Sequence, residues 1–326
     1  MIRRLILIFL GMALAVSACS SPGSGNEPGE LTNIRLPMGY IPNIQFAPMY
    51  VAIEKGYFRE AGLDVELDYK FETDGVALVG AGELPFAIVS GEQVLLARAQ
   101  GLPVVYVGAW YQEYPVSVVA RSEVQVLIPQ DLKGKKIGLP GLFGANYVGL
   151  RALLFEAEMS ESDVTLDSIG FNQVELLATG RQDVVVGYTA NEPIQLRARG
   201  IAVTEIRVAD YVQLASNGIL ASERVIAEDP ELVRAFVGAF LQGLADTIAD
   251  PEEAFELSEA HIPNFVDLDA DVQKQVLSTS IEQWRAERLG YSDPQAWENM
   301  RNILLEMGLI PEEMDLNQAF TNEFIP

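Results

Sequence analysis

From residue 32 onward the chain switches between two hydrophobic periods. Ile34, Leu36 and Met38 lie on one face of an alternating stretch, which predicts a strand over 32–38. Apolar residues at helical spacing follow over 46–55, and Gly56 is placed to end that helix. Short apolar runs predict strands over 65–69, 86–89 and 104–109, with helices over 75–81 and 92–99, the last stopped by Gly101. The alternation restarts after Arg121, with strands over 136–139, 166–169, 184–187, 203–207 and about 216–221, and helices over 146–156, 173–179 and 191–199. Beyond these the pattern is helical: 230–248, 251–260, 271–284, 294–307 and 317–320. No internal repeat occurs at the solenoid or propeller periods of roughly 20 to 50 residues.

Strands and helices that alternate at short spacing predict a parallel α/β architecture. Two such runs and a helical tail predict two α/β lobes. The chain would leave lobe 1, complete lobe 2 and return, crossing near 117–121 and 218–222. Lobe 1 then comprises 32–118 with 220–326, and lobe 2 comprises 119–219. Two connections between lobes form a hinge able to close on a ligand.

The first thirty-one residues carry a different signal. Arg3 and Arg4 precede an apolar stretch over 5–16, the length of a signal-peptide core and short of the roughly 20 apolar residues that span a bilayer. Small residues lead into Cys19, and a Ser/Gly/Pro run follows it. This resembles a bacterial lipobox: a signal peptide over 1–18, a lipidated Cys19, and a flexible tether over 19–31. A short membrane anchor, or a plain signal peptide with an incidental cysteine, is the alternative. Cys19 is the single cysteine, so the mature domain is expected to hold no disulfide, thiol nucleophile or thiolate metal site. The formal charge of −24 disfavours nucleic acid and anionic lipid, and its scatter along the chain fits a solvated surface.

Several strings carry a family resemblance. The opening run Gly39-Tyr40-Ile41-Pro42-Asn43-Ile44-Gln45-Phe46-Ala47-Pro48-Met49-Tyr50 is followed by Glu54-Lys55-Gly56-Tyr57-Phe58 and Ala61-Gly62-Leu63-Asp64-Val65. Val94-Leu95-Leu96-Ala97-Arg98, Gly101-Leu102-Pro103-Val104 and Asp131-Leu132-Lys133-Gly134-Lys135-Lys136 complete the set. In combination they resemble the solute-binding proteins of ABC importers related to thiamine-pyrimidine, sulfonate and nitrate binding. The resemblance covers nearly the whole mature chain. It implies a type II periplasmic binding protein fold, a small solute as ligand, and an ABC permease with its ATPase as partners. It also implies a place on the outer face of the cell membrane. A branch assigned to riboflavin uptake looks most similar, and thiamine pyrimidine precursors are the alternative ligand.

In open α/β sheets ligands bind beyond the carboxyl ends of the strands. That rule selects five loops. In the first, Tyr40 offers a ring and a hydroxyl, and Asn43 offers a donor and an acceptor or else simply caps a helix. In the second, Glu92 either accepts a ligand hydrogen or favours a helix dipole. The third carries Trp110, Tyr111 and Tyr114, suited to stacking on a flat heterocycle or to core packing. The fourth, 140–147, places Phe143 and Asn146 in a glycine loop whose amides could hold an acceptor, though a tight turn alone would use the same glycines. The fifth presents Tyr188 and Asn191, as contacts or as packing and capping residues.

None of these loops contains Lys or Arg. A sulfonate, nitrate or phosphate usually meets a guanidinium or ammonium, so the pattern favours a neutral heteroaromatic ligand such as riboflavin, or a hydroxymethyl- or formylaminopyrimidine. The resembling family includes an enzyme that builds the thiamine pyrimidine from its own histidine with iron and cysteines. Here the one histidine, His261, lies in the helical tail. No nucleophile elbow, zinc spacing or paired acid and base appears. The expectation is a binder without catalytic residues, metal or cofactor. An adhesion or assembly module is the remaining class, disfavoured by the regular α/β pattern and the aromatic loops.

Overall fold

A computed structural model describes residues 31–311 and 314–326. Cys19 and the expected signal peptide lie outside the described residues. The described strands are β1 (Thr32–Pro37), β2 (Leu63–Asp68), β3 (Phe86–Val89), β4 (Val104–Ala109) and β5 (Val116–Arg121), then β6 (Lys136–Leu139), β7 (Thr165–Ser168), β8 (Val184–Tyr188), β9 (Val203–Arg207) and β10 (Gly218–Ser222). They form a parallel pair β1-β2, a three-stranded sheet β3-β10-β4, and a five-stranded sheet β7-β6-β8-β5-β9.

The sheets are not all parallel, as the alternation of strands and helices predicted. β6 runs parallel to β7 and β8, but β5 runs antiparallel to β8 and β9, and β10 runs antiparallel to β3 and β4. The reversed strands are those that carry the chain into the second sheet and back into the first. Val116, Ser117, Val118, Val119 and Ala120 of β5 are all buried, a run typical of a strand covered on both faces. The lobe boundary expected at 118/119 falls inside this strand. All of β5 pairs with the second sheet and all of β10 with the first. The chain therefore passes between sheets over 110–115 and returns over 211–217.

Three tail helices start on the same device. Asp229, Asp250 and Asp293 each precede a proline at the first helical position, and their carboxylates accept the backbone N–H of Leu232, Glu253 and Gln295. The aspartate satisfies a free amide, and the proline sits where no amide bond is needed. The helix Pro230–Ala249 is apolar and long enough to cross a membrane by composition alone. Its apolar face is core: Phe236 stacks on Phe58 and Phe86, and Phe240 meets Trp110 edge-on at 5.4 Å. Burying each such ring stabilises the fold by about 1.5–3 kcal/mol. A second apolar cluster runs from Val89, Val104 and Tyr106 in lobe 1 through Tyr114 and Val116 to Ile137 and Val184 in lobe 2. It gives the two sheets a packed seam behind the cleft between them.

Candidate functional site

The carboxyl ends of β1, β2, β4, β6, β7 and β8 converge on one cleft between the lobes. It encloses about 830 Å³ counting its open mouth, a size usual for small-molecule sites. Lobe 1 supplies Met38, Gly39 and Tyr40 after β1, Phe71 and Glu72 after β2, and Trp110 and Tyr111 after β4. Lobe 2 supplies Pro140, Phe143 and Asn146 after β6, Phe171 and Gln173 after β7, and Tyr188, Asn191 and Glu192 at the end of β8. Asn217, just before β10, completes the lining.

Six of the residues selected from sequence line this cleft together: Tyr40, Trp110, Phe143, Asn146, Tyr188 and Asn191. Three lie off the lining. The Asn43 side chain accepts the Gln45 backbone N–H at 3.0 Å and so caps the short turn that follows. Tyr114 is buried, and its hydroxyl donates to the Ala145 carbonyl at 3.0 Å. Glu92 is wholly buried one layer behind the cleft, against Ser90. Sequence reasoning missed Phe71, Glu72, Phe171, Gln173 and Asn217. The strand-end rule that picked the five loops applies equally to the loops after β2 and β7, and would have found the first four.

Glycines make room for two of the cleft carboxyls. Gly39 has φ +77°, and a Cβ there would lie 2.6 Å from Glu72 Cγ. A Cβ at Gly187 would lie 2.5 Å from Glu192 Oε2. Any larger residue would push these side chains out of place.

The rings fall into two groups. Trp110 is the edge of a packed cluster, 5.8 Å from Phe46, Tyr111 and Trp284. The others bridge the lobes: Tyr40 meets Phe171 edge-on at 4.8 Å, and Phe71 lies 5.3 Å from Phe143 and 5.2 Å from Phe171. The Asn191 amide also reaches across, donating to the Tyr40 hydroxyl at 3.4 Å. Tyr188 donates its hydroxyl to Asn217 Oδ1 at 3.2 Å.

Polar groups in and behind the walls are acceptor-rich and without cations. Burial and the neighbouring Glu92 push the Glu72 carboxyl up to about 8. Burial pushes Glu192 up to about 7, against the Tyr188 backbone N–H that it accepts at 2.7 Å. Burial also raises Glu92, opposed chiefly by the Ser90 hydroxyl. Among the described residues no Lys or Arg lines the cleft. Two buried polar atoms in the wall lack a partner, the donor Trp110 Nε1 and the acceptor Asn146 Oδ1. His261 stacks on Tyr50 at 4.6 Å and lies 2.8 Å from Glu54 Oε1, outside the cleft lining. Among the described residues no cluster of His, Cys, Asp and Glu could hold a metal ion.

Two lobes linked by two passages, with an aromatic cleft at their strand ends, define a periplasmic binding protein fold. The alkanesulfonate-binding protein SsuA from Xanthomonas axonopodis pv. citri, solved with MOPS bound, superposes with a TM-score of 0.71 over 90% of this chain and 99% of that one, at 15% identity. The chain belongs to the NMT1/THI5-like family, whose model matches residues 43–254. It is 43% identical to the riboflavin-binding protein RibY of Chloroflexus aurantiacus over 99% of this chain and 98% of that protein. It is 28% identical to the formylaminopyrimidine-binding protein of Halalkalibacterium halodurans, over 97% and 98%. More distant relatives bear the name 4-amino-5-hydroxymethyl-2-methylpyrimidine phosphate synthase, as in Legionella pneumophila at 23% identity.

Proposed function

We propose that this protein binds riboflavin outside the cell membrane and delivers it, chemically unchanged, to an ABC permease and its ATPase. The observation that carries the reading is full-length similarity to a riboflavin-binding protein joined to the composition of the cleft. Aromatic rings from both lobes frame a slot for a flat ring system. Asn146, Asn191, Glu72 and Glu192 supply polar contacts around it, and no cation awaits an anionic group. Tyr40, Trp110, Phe143 and Tyr188 are the stacking candidates, and Asn146, Asn191 and Asn217 the hydroxyl and amide partners. Of the residues off the cleft lining, Asn43, Glu92 and Tyr114 act by holding loops and polar side chains in position.

The lobes, 32–118 with 220–326 and 119–219 give or take the strands β5 and β10, close on the ligand about the two passages. Cys19 carries the lipid that holds the domain at the membrane surface through the tether. The binder reading needs no cofactor, metal or catalytic residue. The alternative ligand, a formylamino- or hydroxymethylpyrimidine, is favoured by the 28% identical relative.

The test is to incubate protein beginning after Cys19 with riboflavin, remove the excess, denature, and identify what is released by mass. One unaltered riboflavin per chain is expected. An altered flavin would make the protein an enzyme, and retention of a pyrimidine in its place would move it to thiamine precursor uptake.

A further inference from the structure

One cluster in the cleft wall has an unusual proton count. Ser90 directly follows β3 and stands at the cap position of the helix Gly91–Ala99, yet its hydroxyl makes no capping bond. It faces two carboxyls instead. Ser90 Oγ lies 2.6 Å from Glu72 Oε2 and in short contact with Glu92 Oε1. A hydroxyl has one hydrogen to donate. With both carboxyls ionised, one of these contacts would set an oxygen lone pair against a charged oxygen. One carboxyl must therefore carry a proton and donate it to Ser90.

The surroundings decide which. Glu72 Oε2 also accepts the Ser90 backbone N–H at 3.0 Å, a second donor that favours its ionised form. Glu92 is fully buried, and besides its own backbone N–H its other donors are distant: Gln93 Nε2 at 3.4 Å and Tyr114 OH at 3.3 Å, the latter already committed to the Ala145 carbonyl. Glu92 is the better place for the proton. The other ionisable groups that act on the pair are Tyr114 and Tyr188, Glu192 lines the same cleft, all three are acidic, and no Lys or Arg is among the described lining residues. The second oxygen of Glu72, Oε1, accepts no hydrogen bond among the described residues, while Glu72 itself lines the cleft.

We propose that Glu72 is the residue that reads a hydrogen-bond donor on the ligand, an imide N–H, amine or hydroxyl, while Glu92 behind it keeps the proton that lets Ser90 hold Glu72 in place. The identity of the donor rests on the riboflavin reading, since a flavin ring carries one imide N–H at its edge. The charge on Glu72 gives selectivity as well. A phosphorylated flavin would bring its own negative charges into a cleft lined by Glu72 and Glu192 with no cation among its described lining residues, so it would be rejected.

Conservative variants separate the two carboxyls. E72Q removes the charged acceptor and should weaken riboflavin binding roughly 10- to 100-fold, the range for losing a charged hydrogen bond. E92Q replaces a protonated acid by an amide that donates as it did, and should weaken binding less than E72Q does. Wild-type affinity should rise as the pH climbs toward about 8, where Glu72 ionises, and E72Q should flatten that rise. Glu192 titrates in the same cleft, so the difference between wild type and E72Q is the relevant quantity. Equal affinities for wild type and E72Q, or an affinity that falls with pH, would overturn the proposal. A wild type that binds no riboflavin would sink the function reading instead. The proton count is then still tested without ligand: in the infrared difference spectrum between wild type and E92Q near neutral pH one protonated-carboxyl band should be lost, and a difference spectrum without that loss would contradict it.

Discussion

On the lobe-1 side of the cleft, Trp110 and Tyr111 are almost fully buried, held by Phe46, Phe240 and Trp284. On the lobe-2 side, Phe143 stands in a glycine-flanked loop with 41% of its surface exposed, and its nearest ring is Phe71 of the other lobe. One wall is an extension of a hydrophobic core and keeps its shape whether or not a ligand is present. The other depends for its packing on what lies opposite it. Such a pairing suits a binder that must accept its ligand from water and release it again. The fixed wall limits the ordering cost of binding, and under the proposed hinge motion the opposite wall is the one that would close.

The largest effect should come from breaking the fixed wall. Trp110→Ala removes a fully buried indole and should lower unfolding free energy by about 3–5 kcal/mol, read by denaturant titration, along with riboflavin binding. Trp110→Phe should restore most of the stability. A Trp110→Ala protein as stable as wild type would show that this wall is no part of the core.

Next comes pH. Glu72, Glu92 and Glu192 are held above the ordinary carboxyl range by burial. The folded state therefore keeps protons that the unfolded chain has released, and stability falls as pH rises from about 5 toward 8. Carboxylates held low, such as Asp246 beside Lys55 and Tyr57, add stability that is already complete above the ordinary carboxyl range and do not offset this. Thermal melts across that window should show the decline, and Glu72→Gln and Glu192→Gln should each flatten it, reporting on lobe 1 and lobe 2 separately. A melting temperature that rises steadily over the window would contradict the assignment.

A smaller effect is expected from Gly187→Ala. Its Cβ would crowd the Glu192 carboxyl, and such overpacking costs about 1–3 kcal/mol, with binding weakened by the displaced acid. The smallest change in stability belongs to Phe143→Ala. A half-exposed ring contributes within about 0.5 kcal/mol to folding, yet riboflavin should dissociate faster in a stopped-flow chase. If Phe143→Ala instead lowers stability as Trp110→Ala does, the contrast between the walls fails.

Much of this arrangement was legible in the chain. β3, β4, β6 and β9 lie where the apolar runs placed them, to the residue. β5 was read as a crossover, because two connected strands only six residues apart leave no room for the helix that the alternation leads one to expect. Its antiparallel pairing is set by tertiary contacts that no local pattern encodes. The short helix Tyr57–Glu60 follows Gly56 so closely that its four residues carry no period. For the cleft, the strand-end rule brought together Tyr40, Trp110, Phe143, Asn146, Tyr188 and Asn191. Glu92 was chosen for the right neighbourhood and the wrong layer, since its depth follows from Ser90 and from Glu72, eighteen positions before Ser90 in the chain. Asn43 and Tyr114 show the same limit: a strand end marks the loop, and only packing tells which side chains turn inward.

The most direct test of the central claim is a titration of riboflavin with protein starting after Cys19, following flavin fluorescence. The account predicts strong, saturable quenching at one site per chain, reversed by excess riboflavin analogues that keep the imide N–H and unaffected by a formylaminopyrimidine. Absence of quenching, with thermal stabilisation by the pyrimidine instead, would contradict it.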